Sequence, residues 1–311
     1  MPVTGLHHVT SITGPAQATV DFYAGTLGLR LVKQTVNFDD PGTYHLYFGD
    51  DRARPGSALT FFPWPGDARR GTPGAGQARS LAYGVPVGAL SGWLDRFADL
   101  GVSGVLPPTS RFGQNVLTVR DEWGLLTDLV EDDGDYAPWS GADVPEGLAL
   151  GAFHSATLDS HDPAATARVL TDGFGLEEHA SGDGRTRFVA PEAEYARFVD
   201  VLDTPGPPGR LGTGTVHHVA LRVPDDAAEL EVRERLLSIG LSPTPPIDRQ
   251  YFHSVYTREP GGVLIEMATD NPGFDVDEPA ATLGRALKLP AQYEPDRGRI
   301  EARLPALSLP Y

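Results

Sequence analysis

The chain has no cysteine in 311 residues. That removes disulfides, thiolate metal ligands, the usual Cys-type structural zinc and Cys nucleophiles together. Basic charge is scarce: 25 Lys and Arg stand against 42 Asp and Glu, a formal net charge of −17. Such a field repels nucleic acid and anionic lipid and keeps a chain soluble. No apolar run approaches the roughly 20 residues of a membrane helix. The opening MPVTGLHHV has no basic region followed by a long apolar stretch. The expectations are no membrane partner, no secretory signal and a cytoplasmic location. Any bound metal must be held by the nine histidines and the carboxylates.

What is present is a core and a repeat. A hydrophobic fraction of 40% supports real burial, and 311 residues suggest about two domains of ordinary size. Four similar units follow one another. Each opens with a strand, continues through an amphipathic helix stopped by glycine, and closes with two or three strands. Unit one covers 1–70, with a helix from about Pro15 to Leu27 ended by Gly28; unit two covers 78–135, with a helix from Ala89 to Leu100 ended by Gly101. Unit three covers 149–205, with a helix near Pro163–Phe174; unit four covers 214–270, with a helix near Ala227–Ile239. RFGQNVLTVRDEWGLLTDLVED in unit two lies without gaps over RQYFHSVYTREPGGVLIEMATD in unit four, setting Arg111 on Arg249 and Asp128 on Glu266. A βαβββ unit has a sheet face that it cannot bury alone. The expected fold is therefore α+β, with the four units paired into two cupped, eight-stranded mixed sheets. Residues 271–311 read as a tail of loop, short helix and proline-rich end, packing over a cup or a partner subunit or acting as a lid.

The pair His-His occurs twice, as His7-His8 in GLHHVT and His217-His218 in TVHHVAL, each in a short β-branched run that reads as a strand. Glu266 sits mid-strand in GGVLIEMATD, where a buried, unpaired carboxylate costs several kcal/mol unless a cation relieves it. Two histidines and one carboxylate on strands form the ligand set of a non-haem Fe(II) site with open positions. Neighbouring strand residues face opposite sides. Register with His154 in GAFHSATL favours His8 and His218 as the inward pair, with Thr10 on the face of His8. His7 and His217 then point away unless a bulge turns them, and read as groups that orient ligands or move protons. These ligands require units one and four to share a cup, leaving units two and three for the other. There His154, Asp128 and Asp200 take the corresponding places but Tyr83 fills the remaining one, so ordinary packing is expected. The unit-one position matching Glu266 reads as Phe61, which cannot ligate.

GLHHVTSITG, FYAGTLGLRLVKQTVNFDDPGTYHLYFGD, SRFGQ, TVHHVAL and DRQYFHSVYTREPGGVLIEMATDNPGF resemble the vicinal oxygen chelate superfamily, which includes glyoxalase I, bleomycin-resistance proteins and extradiol dioxygenases. The resemblance covers essentially the whole chain and is nearest to ring-cleaving hydroquinone 1,2-dioxygenases. It implies Fe(II) held by His8, His218 and Glu266, with Mn or Zn able to occupy the site in purified protein. It also implies a substrate-side shell of His7, Thr10, His217, Arg249 and Tyr256. Arg249 would stabilise developing negative charge, Tyr256 would hydrogen-bond a substrate hydroxyl, and His7 or His217 would act as acid or base. The implied partners are a hydroquinone or catechol and O2; a homo-oligomer is compatible with this. The same ligands leave two alternatives: a metal-dependent glyoxalase-like isomerase or lyase, which more often has a second carboxylate, and a non-catalytic aromatic or drug binder. His253 has no assigned part.

Overall fold

The computed structural model describes residues 3–134, 139 and 141–311, so residues 1, 2 and 135 of the expected units lie outside the described residues. Unit one supplies β1 (Leu6–Thr13), β2 (Arg30–Asn37), β3 (Asp40–Gly49) and β4 (Ala58–Pro63). Unit two supplies β5 (Gln77–Pro86), β6 (Thr109–Arg111), β7 (Gln114–Arg120) and β8 (Leu126–Asp132). Unit three supplies β9 (Phe153–Asp159), β10 (Glu177–Gly182), β11 (Arg185–Val189) and β12 (Phe198–Leu202). Unit four supplies β13 (Thr215–Val223), β14 (Ile247–Asp248), β15 (Phe252–Arg258) and β16 (Leu264–Pro272).

In every unit the first strand pairs in parallel with the last, and the other two continue the sheet antiparallel. One sheet runs β14-β15-β16-β13-β1-β4-β3-β2 and the other β10-β11-β12-β9-β5-β8-β7-β6. Each is closed in its middle by two antiparallel first strands, β1 with β13 and β5 with β9. Units one and four therefore share a sheet, and units two and three share the other, giving the α+β architecture expected from the repeat.

The helices are α1 (Ala16–Val20), α2 (Leu90–Asp99), α3 (Pro163–Arg168) and α4 (Asp226–Ser238). In units one and three the helix widens into a π turn, Asp21–Thr26 and Val169–Gly173. Asp162 and Asp225 cap α3 and α4 by accepting from Ala165 N and Ala228 N, each at 2.9 Å. After each helix a glycine takes positive φ (Gly28, Gly101, Gly175 and Gly240, 67° to 87°), a conformation costly for any side chain. The stripe of α2 is narrower than its spacing suggested: Leu90, Trp93 and Phe97 are buried, but Leu94 and Leu100 face solvent. In unit one Tyr23 lies 4.3 Å from Phe61, ring to ring. That contact draws Phe61 to the helix side of the sheet, and strand alternation turns its neighbours Thr60 and Phe62 into the cup.

The tail packs along β2, the outer strand of the first sheet. Leu287 bridges to Gln34, Lys288 N donates to Gln34 O at 2.9 Å, and Leu31 N donates to the Tyr311 hydroxyl at 2.9 Å. The fully buried Lys33 reaches Asp277 at 2.7 Å and Glu278 at 2.8 Å. An edge that could template aggregation is thus covered. A short helix, α5 (Arg297–Glu301), lies within this tail. Among the described residues no helix is long and apolar enough to cross a membrane.

Candidate metal centre

The two central strands of the first sheet carry a device that alternation alone does not reveal. The β1–β13 pairing slips twice, once between Leu6 and His8 and once between His218 and Val216. The residues left over are His7 and His217. A bulge twists its strand and re-aims its side chains, and here each outer histidine folds beside its neighbour. His7 Nδ1 lies 2.9 Å from His8 Nδ1, and His217 Nδ1 lies 2.8 Å from His218 Nδ1. The far nitrogens of the inner pair, His8 Nε2 and His218 Nε2, are 3.3 Å apart. Glu266 on β16, opposite Ala220 of β13, places Oε2 3.3 Å from the first and 2.7 Å from the second. Ser254 donates to its other oxygen, Oε1.

Three donor atoms about 3 Å apart are what results when one ion sits about 2.1 Å from each at roughly right angles. Glu266 Oε2 is buried within 3.3 Å of both imidazole nitrogens and, among the described residues, makes no well-directed hydrogen bond. Both imidazoles offer Nε2 to the same small space. Burial opposes charge on Glu266; protonated His8 and His218 rings would outweigh it and hold the carboxyl well below the usual range, and a cation supplies the same positive charge when both rings turn lone pairs to it. A divalent cation fits this set. Among the described residues His8, His218 and Glu266 are the one group of three such side chains placed to hold an ion.

The outer contacts settle tautomers. If His8 Nε2 offers a lone pair, its Nδ1 carries the proton and donates to His7 Nδ1. His7 must then carry its own proton on Nε2, which lies 3.1 Å from the Thr269 carbonyl, an acceptor. Burial, with His8 adjoining, lowers the His7 pKa well below the usual histidine value, so the ring is neutral as this requires. The same logic puts the His217 proton on Nε2. Burial, with His218 adjoining, brings His217 down to about 3.

A cavity of about 180 Å³ opens in front of these ligands. A site of about 150 Å³ holds benzene, so a single substituted ring fits. His217, Thr10, Arg249 and Tyr256 line it; His7 does not and stays behind His8. Tyr256 faces Glu266 directly across β15–β16. Its hydroxyl accepts from Arg249 Nε at 3.2 Å, and burial, with Glu266 near, raises its pKa far above the usual phenol value. Tyr256 thus remains protonated with its own hydrogen unused by Arg249. Arg249 is also 3.9 Å from the exposed Asp39 at the cavity rim. Reading the sequence missed His45, Tyr47 and Phe62, which line the unit-one wall; YHLY looks like any half-buried strand. His253 lies elsewhere: it pairs with Asp226 at the start of α4, 2.7 Å away.

Two expectations need correction. Thr60, not Phe61, stands opposite Thr10, the place in unit one that corresponds to Glu266 in unit four. In the second sheet Asp128 is opposite Ala82 and Asp200 opposite Thr157. Counting back as from Ala220 to His218 reaches Ser80 and Ser155, not Tyr83 and His154. Arginine takes the space instead: Arg111 pairs with Asp128, and Arg187 grips Asp200 with bonds of 2.7 and 2.9 Å.

Comparison with known proteins agrees with this frame. The chain matches the Glyoxalase/Bleomycin resistance protein/Dioxygenase superfamily over residues 5–129 and 152–267, and it belongs to that superfamily. A candidate ring-cleaving dioxygenase of Bacillus subtilis (strain 168), MhqO, is 44% identical over 301 residues, covering 96% of this chain and 95% of the relative. The chlorohydroquinone/hydroquinone 1,2-dioxygenase of Sphingobium indicum is 36% identical over 304 residues, covering 94% and 93%. The crystal structure of a candidate dioxygenase from Bacillus subtilis superposes with a TM-score of 0.95 at 42% identity, covering 99% of this chain and 98% of that one. Maize glyoxalase I shares the fold at a TM-score of 0.62 and 15% identity, over 86% and 92% of the chains. Within the superfamily, the chain falls among the ring-cleaving dioxygenases.

Proposed function

We propose that this chain is an Fe(II)-dependent extradiol-type dioxygenase that opens the aromatic ring of a hydroquinone, or of a catechol, with O2. The observation that carries the reading is the convergence of His8, His218 and Glu266 on one point at the floor of a ring-sized cavity. The similarity to the chlorohydroquinone/hydroquinone 1,2-dioxygenase of Sphingobium supports a hydroquinone. When bound, the metal supplies a Lewis acid with open positions for a phenolate oxygen and for O2, and a route for electrons between them.

The chain's own groups have separable tasks. His7 acts on His8 and not on the substrate, fixing its tautomer through the Thr269 carbonyl. His217 presents Nε2–H to the cavity, so in the neutral resting site it is a hydrogen-bond donor before it can be a base. Arg249 holds a fixed positive charge where oxygen-centred negative charge develops, and Tyr256, aligned by Arg249, donates to a substrate oxygen. Thr60 at the second carboxylate place disfavours the isomerase alternative, which more often has another acid there. Cysteine-free, acidic composition fits an enzyme of the cytoplasm.

Anaerobic reconstitution with Fe(II), followed by oxygen uptake with methylhydroquinone, chlorohydroquinone and catechol, tests the reading. Uptake with a ring-fission chromophore is expected for at least one of them. An iron-loaded protein that consumes no oxygen with any, yet isomerises a thiol adduct with Ni or Zn, is instead of the glyoxalase kind.

A further inference from the structure

Four side chains form a polar seam in the unit-one wall, and the chemistry above gives the seam no part as a unit. Thr60 stands opposite Thr10 across β1–β4 and opposite Tyr47 across β3–β4, so the three share one rung of the sheet. His45, two residues before Tyr47 and on the same face, links them. The Tyr47 hydroxyl is 2.9 Å from His45 Nδ1, His45 Nε2 is 2.9 Å from Thr60 Oγ1, and Thr60 Oγ1 is 2.7 Å from Thr10 Oγ1. The rings of Tyr47 and Phe62 pack on the imidazole at 4.1 and 4.4 Å and restrain it from turning. Burial, with His8 and His218 nearby, keeps His45 neutral. A neutral imidazole has one donor and one acceptor.

That makes the seam directional. With the proton on Nε2, Tyr47 donates to His45, His45 to Thr60 and Thr60 to Thr10, and the Thr10 proton is left over. With the proton on Nδ1 the order reverses, and the Tyr47 proton is left over. Thr10 and Tyr47 both line the cavity. In either state the wall offers one hydroxyl donor at one end and a hydroxyl acceptor at the other. Its neighbours on that side, Phe62, Trp64 and Ile12, are largely apolar.

We infer that Tyr47, set by His45 and Thr60, is a specificity-determining group that hydrogen-bonds the ring hydroxyl the metal does not hold, so that the cavity selects a diol over a monophenol. The inference rests on the function proposed above, which places the first hydroxyl at His8, His218 and Glu266. Strand β3 is two strands from β1, about 10 Å at about 4.8 Å per strand. Tyr47 therefore stands toward the far side of a ring bound at the ligands.

The test is anaerobic binding of hydroquinone and of phenol to the Fe(II)-loaded full chain, with oxygen uptake recorded on the same samples. Tyr47→Phe is expected to weaken hydroquinone about 5–10-fold, the effect of one neutral hydrogen bond, and to leave phenol within about twofold. Thr60→Val and His45→Leu cut the seam and lower the same ratio; His45→Gln, which keeps a donor and an acceptor, retains most of it. Equal losses for both ligands in Tyr47→Phe, or no loss for either, overturn the inference. A wild type that binds both ligands but consumes no oxygen overturns the dioxygenase reading, while the ratio still decides the part of Tyr47. A wild type that binds neither overturns both.

Discussion

Arg111 and Arg249 fall at matching places in units two and four, yet one is closed onto an acid and the other is held off it. Arg111 pairs with Asp128, where a serine, Ser80, stands in place of a histidine. Arg249 is turned to Tyr256, because Glu266 already has Ser254 on one oxygen and two imidazoles at the other. An arginine salt bridge and a metal are alternative answers to the same buried carboxylate. Arg249 accordingly lines the cavity instead of closing onto the acid. Arg249→Ala should keep stoichiometric iron and lower turnover by about 10²-fold, in the range found for a lost oxyanion donor; oxygen uptake and iron content measured on one sample check both halves. Tyr256→Phe should act in the same direction more weakly, as a single hydrogen bond to the substrate. The candidate ligands were legible because His-His recurs at one module position and Glu266 interrupts an apolar strand. His45 and Tyr47 were not, because their polarity takes meaning from Thr60 and Thr10 on other strands.

At the scale of elements, alternation and register turn His8 and His218 inward, and the structure brings them together with Glu266, but alternation and register could not say where His7 and His217 go. Bulges decide that, and a bulge is a property of two strands in register, not of either sequence. The same limit shifted the unit-one acid place by one residue, from Thr60 to Phe61. Tail and helix make separate predictions. Lys33 is fully buried between Asp277 and Glu278, so Lys33→Ala strands carboxylates against β2. It should cost about 3 kcal/mol, read from the midpoint of denaturant unfolding. On α4, Glu229 is buried and its Oε1 has no hydrogen-bond partner among the described residues; burial raises its pKa from 4.5 to about 7. The folded state thus binds this proton more tightly than the unfolded chain. The penalty is absent below about 4.5, grows as pH rises, and is complete above about 7. Glu229→Gln should therefore raise the melting temperature at pH 8 by about 2 °C or more and bring no gain at pH 4. A gain of equal size at both pH values would remove the charge explanation.

For the molecule as a whole, the order of units in space is 4-1 and 3-2, so a site built from both ends of the chain forms at the centre of one sheet. Composition and repeat made that architecture readable, because one βαβββ unit needs a second to cover its face. The two cups then diverged chemically: one sets imidazoles around its carboxylate, the other fills its acids with guanidinium groups. The most direct measurement is an anaerobic Fe(II) titration with elemental analysis of the wild type, His8→Ala and Glu266→Gln, each checked for an unchanged circular dichroism spectrum. One iron per chain in the wild type and almost none in either folded variant is the expected result. Stoichiometric iron retained by both variants, or two irons per wild-type chain, would contradict a single centre built from His8, His218 and Glu266.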